Sequence, residues 1–351
     1  MSEDLLLEPG TRLVHIGAPK TGTTSIQEAF ADLRRALPDL GVVYPGNARV
    51  SKHKDEFDQL FRHGGAAIDR LRAVLAREDE RRVVLSTEQL ASESPERVAE
   101  VRDLVGPRSH VVLTLRNVTE YFASYWQQEI KRGVTDGIGD WTQQRLEQID
   151  DFSIFRRHKG DELITRWVSA FGADAVTVVV LERSAPERLF DVFESMCGLP
   201  SGTLVVREQN RGLTWPELEL VRSLNERLRD GDVDDAREAR RFVLSGIAPG
   251  LATGWTPPPG VARPRVPLEH QDAVQEVAHR LADAVRASGV RVVGDLAELS
   301  RPAAGVAPPT APGVPEALLR AALDGLVNRV SAVEYRHRNR RRDSTATSTT
   351  L

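Results

Sequence analysis

Arg12-Leu13-Val14-His15-Ile16-Gly17-Ala18-Pro19-Lys20-Thr21-Gly22-Thr23-Thr24-Ser25 is the stretch that decides the fold. Leu13 to Ile16 is a short apolar run suited to a buried strand, and Gly17 to Ser25 supplies turn residues. Ile26, Phe30, Leu33 and Leu37 then recur at helical spacing, which predicts a helix from Thr23 to Leu37. A strand, a glycine-bearing turn and a helix start together make a cradle for an anion, because backbone N–H groups turn inward and the helix aims unsatisfied amides at the guest. Lys20 approaches the same guest from the loop, with the hydroxyls of Thr21, Thr23, Thr24 and Ser25 around it.

Outward from this stretch the chain alternates. Gly41 to Pro45 reads as a short extended segment, Asp55 to Ala76 as helix broken near Gly64-Gly65, and Arg82 to Ser86 as a second buried strand. A helix from Pro95 to Val105 leads to a third strand, Ser109 to Leu115. The helix Thr119 to Arg132, helices near Trp141 to Gln148 and Asp161 to Phe171, a strand Ala175 to Leu181 and a helix Pro186 to Cys197 follow. β-Branched strands spaced by amphipathic helices predict an α/β fold with a parallel sheet covered on both faces, and ligands of such sheets collect at the strands' carboxyl ends. Gly17 to Ser25, Ser86 to Leu90, Arg116 to Gln128 and Glu182-Arg183 all fall at such ends.

Composition fits a globular enzyme: 351 residues, 40% hydrophobic and 28% charged, with a formal net charge of −4. That balance gives no basic excess for a nucleic-acid partner. Cys197 is the one cysteine, so an internal disulfide is excluded and a cytoplasmic location is expected. The start of the chain is acidic where a secretory signal would be positive, and Ala175 to Leu181 is too short to cross a bilayer, so no membrane span is expected. The histidines His15, His63, His110, His158, His270, His279 and His337 show no pairing in sequence, and no cluster has metal-ligand spacing.

The loop is not an ATP-type G-x-x-x-x-G-K-[ST] motif, since Thr23 stands where that pattern needs lysine. Pro19 to Ser25 resembles instead the 5′-phosphosulfate loop of sulfotransferases that use 3′-phosphoadenosine 5′-phosphosulfate (PAPS). Leu113 to Lys131 strengthens the likeness: Arg116 after a strand and Ser124 eight residues later match the family's 3′-phosphate ligands, although Val118 replaces a common proline. Arg207 to Leu213 resembles a segment closing over the nucleotide in bacterial members, with Asn210 as its ligand or, equally, as a helix cap. The resemblance covers about residues 11 to 300. It implies a three-layer P-loop fold of the sulfotransferase type, PAPS as sulfuryl donor with no metal, and a small-molecule, carbohydrate or lipid acceptor.

In-line sulfuryl transfer needs a cation at the leaving oxygen and a base for the acceptor's proton. Lys20 fills the first role, as the loop lysine does in the family. Glu88, in Leu85-Ser86-Thr87-Glu88-Gln89-Leu90, is the expected base; His53 is its rival, on a loop where solvation among lysines is the plainer expectation. Two other classes stay open: a small-molecule or nucleotide kinase with a variant loop, and a catalytically silent nucleotide-binding protein.

Beyond Gly212 the chain is mostly helical. Leu218, Val221, Leu224 and Leu228 mark a helix from Thr214 to Asp230, Asp234 to Ser245 is a second candidate, and Gln271 to Ser288 a third. Val290 to Leu296 is either a last strand or a segment laid on the core. A linker, Pro302 to Pro315, precedes a helix from Pro315 to about Tyr335, which either docks on the core or pairs with a second copy in a homo-oligomer. Residues 337–351, basic and then Ser/Thr-rich, read as a disordered tail.

Overall fold

The computed structural model describes residues 5–18, 21–46, 52–77, 79–205, 211–230, 242–302 and 315–326. Two compact units emerge. One comprises 1–121, 144–209 and 271–303; the other comprises 122–143, 210–270 and 304–351.

The first unit holds a six-stranded, all-parallel sheet: β1 (Arg12–Gly17), β2 (Val42–Val43), β3 (Arg82–Ser86), β4 (Ser109–Leu115), β5 (Val176–Val180) and β6 (Arg291–Val293), in the order β2-β3-β1-β4-β5-β6. Helices flank it, an arrangement compatible with a three-layer α/β fold. β1, β3, β4 and β5 are buried almost throughout, as parallel strands covered on both faces must be. The winding reverses at β1: the chain builds β2 and β3 on one side, then β4, β5 and β6 on the other. Ligand crevices open at such a reversal, outside the strands' carboxyl ends.

Register decides which side chains line that crevice. Leu13, Val84, Val112 and Val179 share one core cluster with Ile26 and Phe30 of α1 (Thr23–Leu33) and with Phe190 and Phe193 of α8 (Arg188–Cys197). Side chains alternate along a strand, so His15, Ser86 and Thr114, each two residues further on, face the same side. Three polar groups therefore lie side by side in an apolar layer.

Between these elements come α2 (Lys54–Leu60), α3 (Ala66–Leu75), α4 (Pro95–Val105), α5 (Val118–Lys131), α6 (Ile138–Glu147) and α7 (Leu163–Phe171). The break at Gly64-Gly65 separates α2 from α3 as expected. Helix α1 stops at Leu33, short of the expected Leu37: Pro38 has no N–H to pair with the Arg34 carbonyl, and its ring would crowd that carbonyl. Leu37 is still buried, on a 3₁₀ turn, Leu37–Leu40.

In the second unit, α9 (Trp215–Asp230) begins with a capping box: the Glu217 carboxylate accepts from the Thr214 N–H and hydroxyl at 2.7 and 2.6 Å, and from Arg211. A capping role for Asn210 is therefore not needed there; Asn210 itself lies outside the described residues, as do Lys20 and most of the candidate helix Asp234 to Ser245. A π-turn, Val243–Ile247, runs into the helix Ala248–Gly254. The helical stretch 316–326 docks on it. A Cβ at Gly325 would fall 2.3 Å from the Gly246 carbonyl oxygen, and one at Gly250 would fall 2.6 Å from the Ala321 carbonyl oxygen, so glycines let the two backbones touch. Leu318, Ala321 and Ala322 are buried there, while Leu319 and Leu323 are about half exposed.

Candidate functional site

The loop after β1 is organised by two glycines. Gly22 caps α1 with φ at 74°, a left-handed conformation that costs an L-side chain about 1 kcal/mol or more. At Gly17 a Cβ would lie 1.6 Å from Thr23 Oγ1, so only glycine lets the helix start approach the strand end this closely. Among the described residues no side chain caps α1, and its first turn carries no acid. The positive end of the helix dipole thus meets no counter-charge from the helix's own first turn.

The loop hydroxyls divide into two sets, which sequence could not separate. Thr21 and Thr23 are buried and point beneath the loop: Thr21 Oγ1 donates to the Ala18 carbonyl at 2.6 Å and lies 2.8 Å from Thr114 Oγ1 and 3.3 Å from Thr23 Oγ1. Thr24 is exposed and Ser25 half-buried. An anion over this loop would therefore meet backbone amides and these last two hydroxyls, with Thr21 and Thr23 acting as scaffold.

The scaffold continues inward through a residue that sequence left unpaired. His15, wholly buried, sits with Nδ1 2.9 Å from Ser86 Oγ and Nε2 3.3 Å from Thr114 Oγ1, and Gln27 Nε2 donates to Ser86 Oγ at 3.2 Å. The ring also packs edge-on against Phe193. Burial lowers the His15 pKa from 6.5 to about 3, so the imidazole is neutral. A histidine inside an apolar strand was the only signal of this network. His110, also unpaired in sequence, meets Thr177 Oγ1 at 2.8 Å, and His158 meets the Ser92 carbonyl at 2.9 Å.

Glu88 stands two residues beyond β3, about one-third exposed, with Lys52 Nζ 3.1 Å from its Oε1. The 3₁₀ turn that follows, Gln89–Ser92, is held from below: the buried Arg166 donates to the Ala91 carbonyl at 3.2 Å.

His53 is not the solvated side chain expected from its neighbours. It is 1% exposed, its backbone N–H donates to the Ser86 carbonyl at 3.1 Å, and its Nδ1 accepts from the Ser86 N–H at 3.0 Å. Nε2 therefore carries the proton and donates to the Pro45 carbonyl at 3.0 Å. Past the short β2, this residue takes the place of a strand neighbour for β3. Its pKa is lowered to about 4, chiefly by burial.

Arg116 follows β4 directly. Glu120 receives it at 2.5 Å and also Arg183 at 3.2 Å. Asn117 caps α5, accepting from the Glu120 N–H at 3.1 Å, while its amide donates to the Glu298 and Arg301 carbonyls. That cap explains why Val118 starts a helix well without the proline common in the resembling family. Ser124 is half-buried on α5 and belongs to the second unit.

The structure thus places the loop, Glu88 and Arg116 at the ends of three adjacent strands. Among the described residues, no group of three or more His, Cys, Asp or Glu could hold a metal ion, and no helix is long and apolar enough to cross a membrane. No protein-family model matches the chain, and a search of curated proteins finds no match.

Proposed function

We propose that this chain is a PAPS-dependent sulfotransferase with a P-loop fold of the sulfotransferase type, acting on a hydroxyl or amine of a small-molecule, carbohydrate or lipid acceptor. One observation carries the proposal: an uncapped helix start, an arginine and a carboxylate close three neighbouring parallel strands, β1, β4 and β3. Parallel neighbours lie about 4.8 Å apart, so these groups fall within the span of one nucleotide and its acceptor.

The donor set fits a bisphosphorylated nucleotide. The start of α1, with Thr24 and Ser25, suits the 5′-phosphosulfate, and the guanidinium of Arg116 suits the 3′-phosphate. PAPS supplies the activated sulfuryl group. Glu88 takes the acceptor's proton, and Lys52 keeps that carboxylate in place. Lys20 offsets the charge that builds on the leaving oxygen, a role assigned from sequence. Glu88 is preferred to His53 as base, because the one basic nitrogen of His53 already accepts a backbone N–H in a buried site.

Arg116→Ala tests the assignment of the two phosphate ends. It should weaken 3′-phosphoadenosine 5′-phosphate by about 10- to 100-fold and adenosine 5′-phosphate hardly at all. Equal weakening of both ligands would take Arg116 out of the site.

A further inference from the structure

The hydrogen bonds beneath the loop have only one consistent direction. Thr21 has a single hydroxyl proton, and the Ala18 carbonyl, which can only accept, takes it at 2.6 Å. Thr114 must then donate to Thr21 across their 2.8 Å contact, which leaves Thr114 Oγ1 as acceptor for His15. His15 therefore carries its proton on Nε2, its Nδ1 accepts from the Ser86 hydroxyl, and Ser86 Oγ accepts from the Gln27 amide. Every donor in the run has its acceptor. The run ties β3, β1, β4 and α1 to the loop that the site needs rigid.

We propose that His15 is a positioning residue for the anion site at the start of α1, acting through Thr114 and Thr21 to fix Thr21 against the end of β4. The geometry stands on its own, while its consequence for ligand affinity rests on the sulfotransferase reading. His15 touches no reacting atom; it fixes the direction of a hydroxyl pair. A neutral ring suits the run, since Nδ1 is then the acceptor that takes the Ser86 hydroxyl proton, while Ser86 Oγ accepts from Gln27.

Two replacements separate this role from simple space-filling. A glutamine amide reaches the place of Nε2 and can still donate to Thr114, whereas an asparagine amide reaches only the place of Nδ1 and serves Ser86 alone. His15→Gln should bind 3′-phosphoadenosine 5′-phosphate within about threefold of the wild type, and His15→Asn about tenfold more weakly, the scale of one lost buried hydrogen bond. Thr114→Val, which keeps the shape and removes the relay, should match His15→Asn.

Amide hydrogen exchange gives a readout free of any ligand. The Thr21 N–H, bonded to the Ala18 carbonyl at 3.2 Å, should exchange about tenfold faster in His15→Asn and Thr114→Val than in the wild type or His15→Gln, with the Val179 amide in β5 unchanged. If His15→Gln and His15→Asn exchange alike at Thr21, or Thr114→Val leaves that amide untouched, the positioning role is overturned. If the wild type fails to bind the bisphosphate, the sulfotransferase reading falls, and the exchange result still decides the role of His15.

Discussion

Thr21 and Thr114, 93 residues apart in the chain, meet hydroxyl to hydroxyl at 2.8 Å, which fastens the loop after β1 to the end of β4. The close approach of Thr23 to Gly17 fastens it a second time. Gly17→Ala forces a methyl group into Thr23 and should destabilise the fold by about 2 to 4 kcal/mol in urea denaturation. Thr24→Ala, on the exposed side of the same loop, should stay within about 0.5 kcal/mol of the wild type. Equal effects would mean that the loop is not packed as described.

Two buried neutral histidines make stability depend on acid. The unfolded chain protonates His15 and His53 near 6.5, while the folded chain resists until about 3 and about 4 respectively. The unfolded state therefore binds more protons across that interval. Stability is full above pH 6.5 and falls toward pH 4, by up to about 1.4 kcal/mol per pH unit for each histidine. Urea midpoints at pH 7 and pH 5 should drop less for His53→Gln than for the wild type; an identical drop would show that His53 is not held neutral.

Glu88→Gln keeps the shape of the side chain and cannot accept a proton. Sulfuryl transfer should fall roughly 10²-fold while bisphosphate affinity stays near that of the wild type. His53→Ala should act differently, lowering stability by about 2 to 4 kcal/mol through lost hydrogen bonds and a cavity, with the nucleotide still bound. Full transfer activity in Glu88→Gln would remove the carboxylate from the mechanism.

The contact between 316–326 and Ala248–Gly254 depends on glycine. Gly325→Ala places a methyl group against the Gly246 carbonyl and should release the C-terminal stretch, seen as faster proteolytic cleavage near it. Unchanged cleavage would mean that the two backbones do not touch.

Much of the sheet was legible because apolar runs rich in β-branched residues, such as Val111-Val112-Leu113 and Val176 to Val180, leave few alternatives, and caps or prolines mark the adjoining helices. The loop was legible from its two glycines. What sequence could not show was which way a polar side chain points. Thr21 and Thr24 look alike in the chain, yet one lies under the loop and the other faces outward. His15 finds its partners 71 and 99 residues away, through strand register alone. His53 looked solvated because its neighbours are lysines, whereas backbone groups of Ser86 and Pro45 claim its ring. The early end of α1 was readable from Pro38 and was outweighed by the helical spacing of Leu37.

Isothermal titration of the full chain with 3′-phosphoadenosine 5′-phosphate and, separately, with ATP tests the central claim most directly. Micromolar binding of the bisphosphate, with ATP at least 100-fold weaker, is the predicted result. Micromolar binding of ATP with no heat from the bisphosphate would contradict it and point to a phosphoryl-transfer site on the same strand ends.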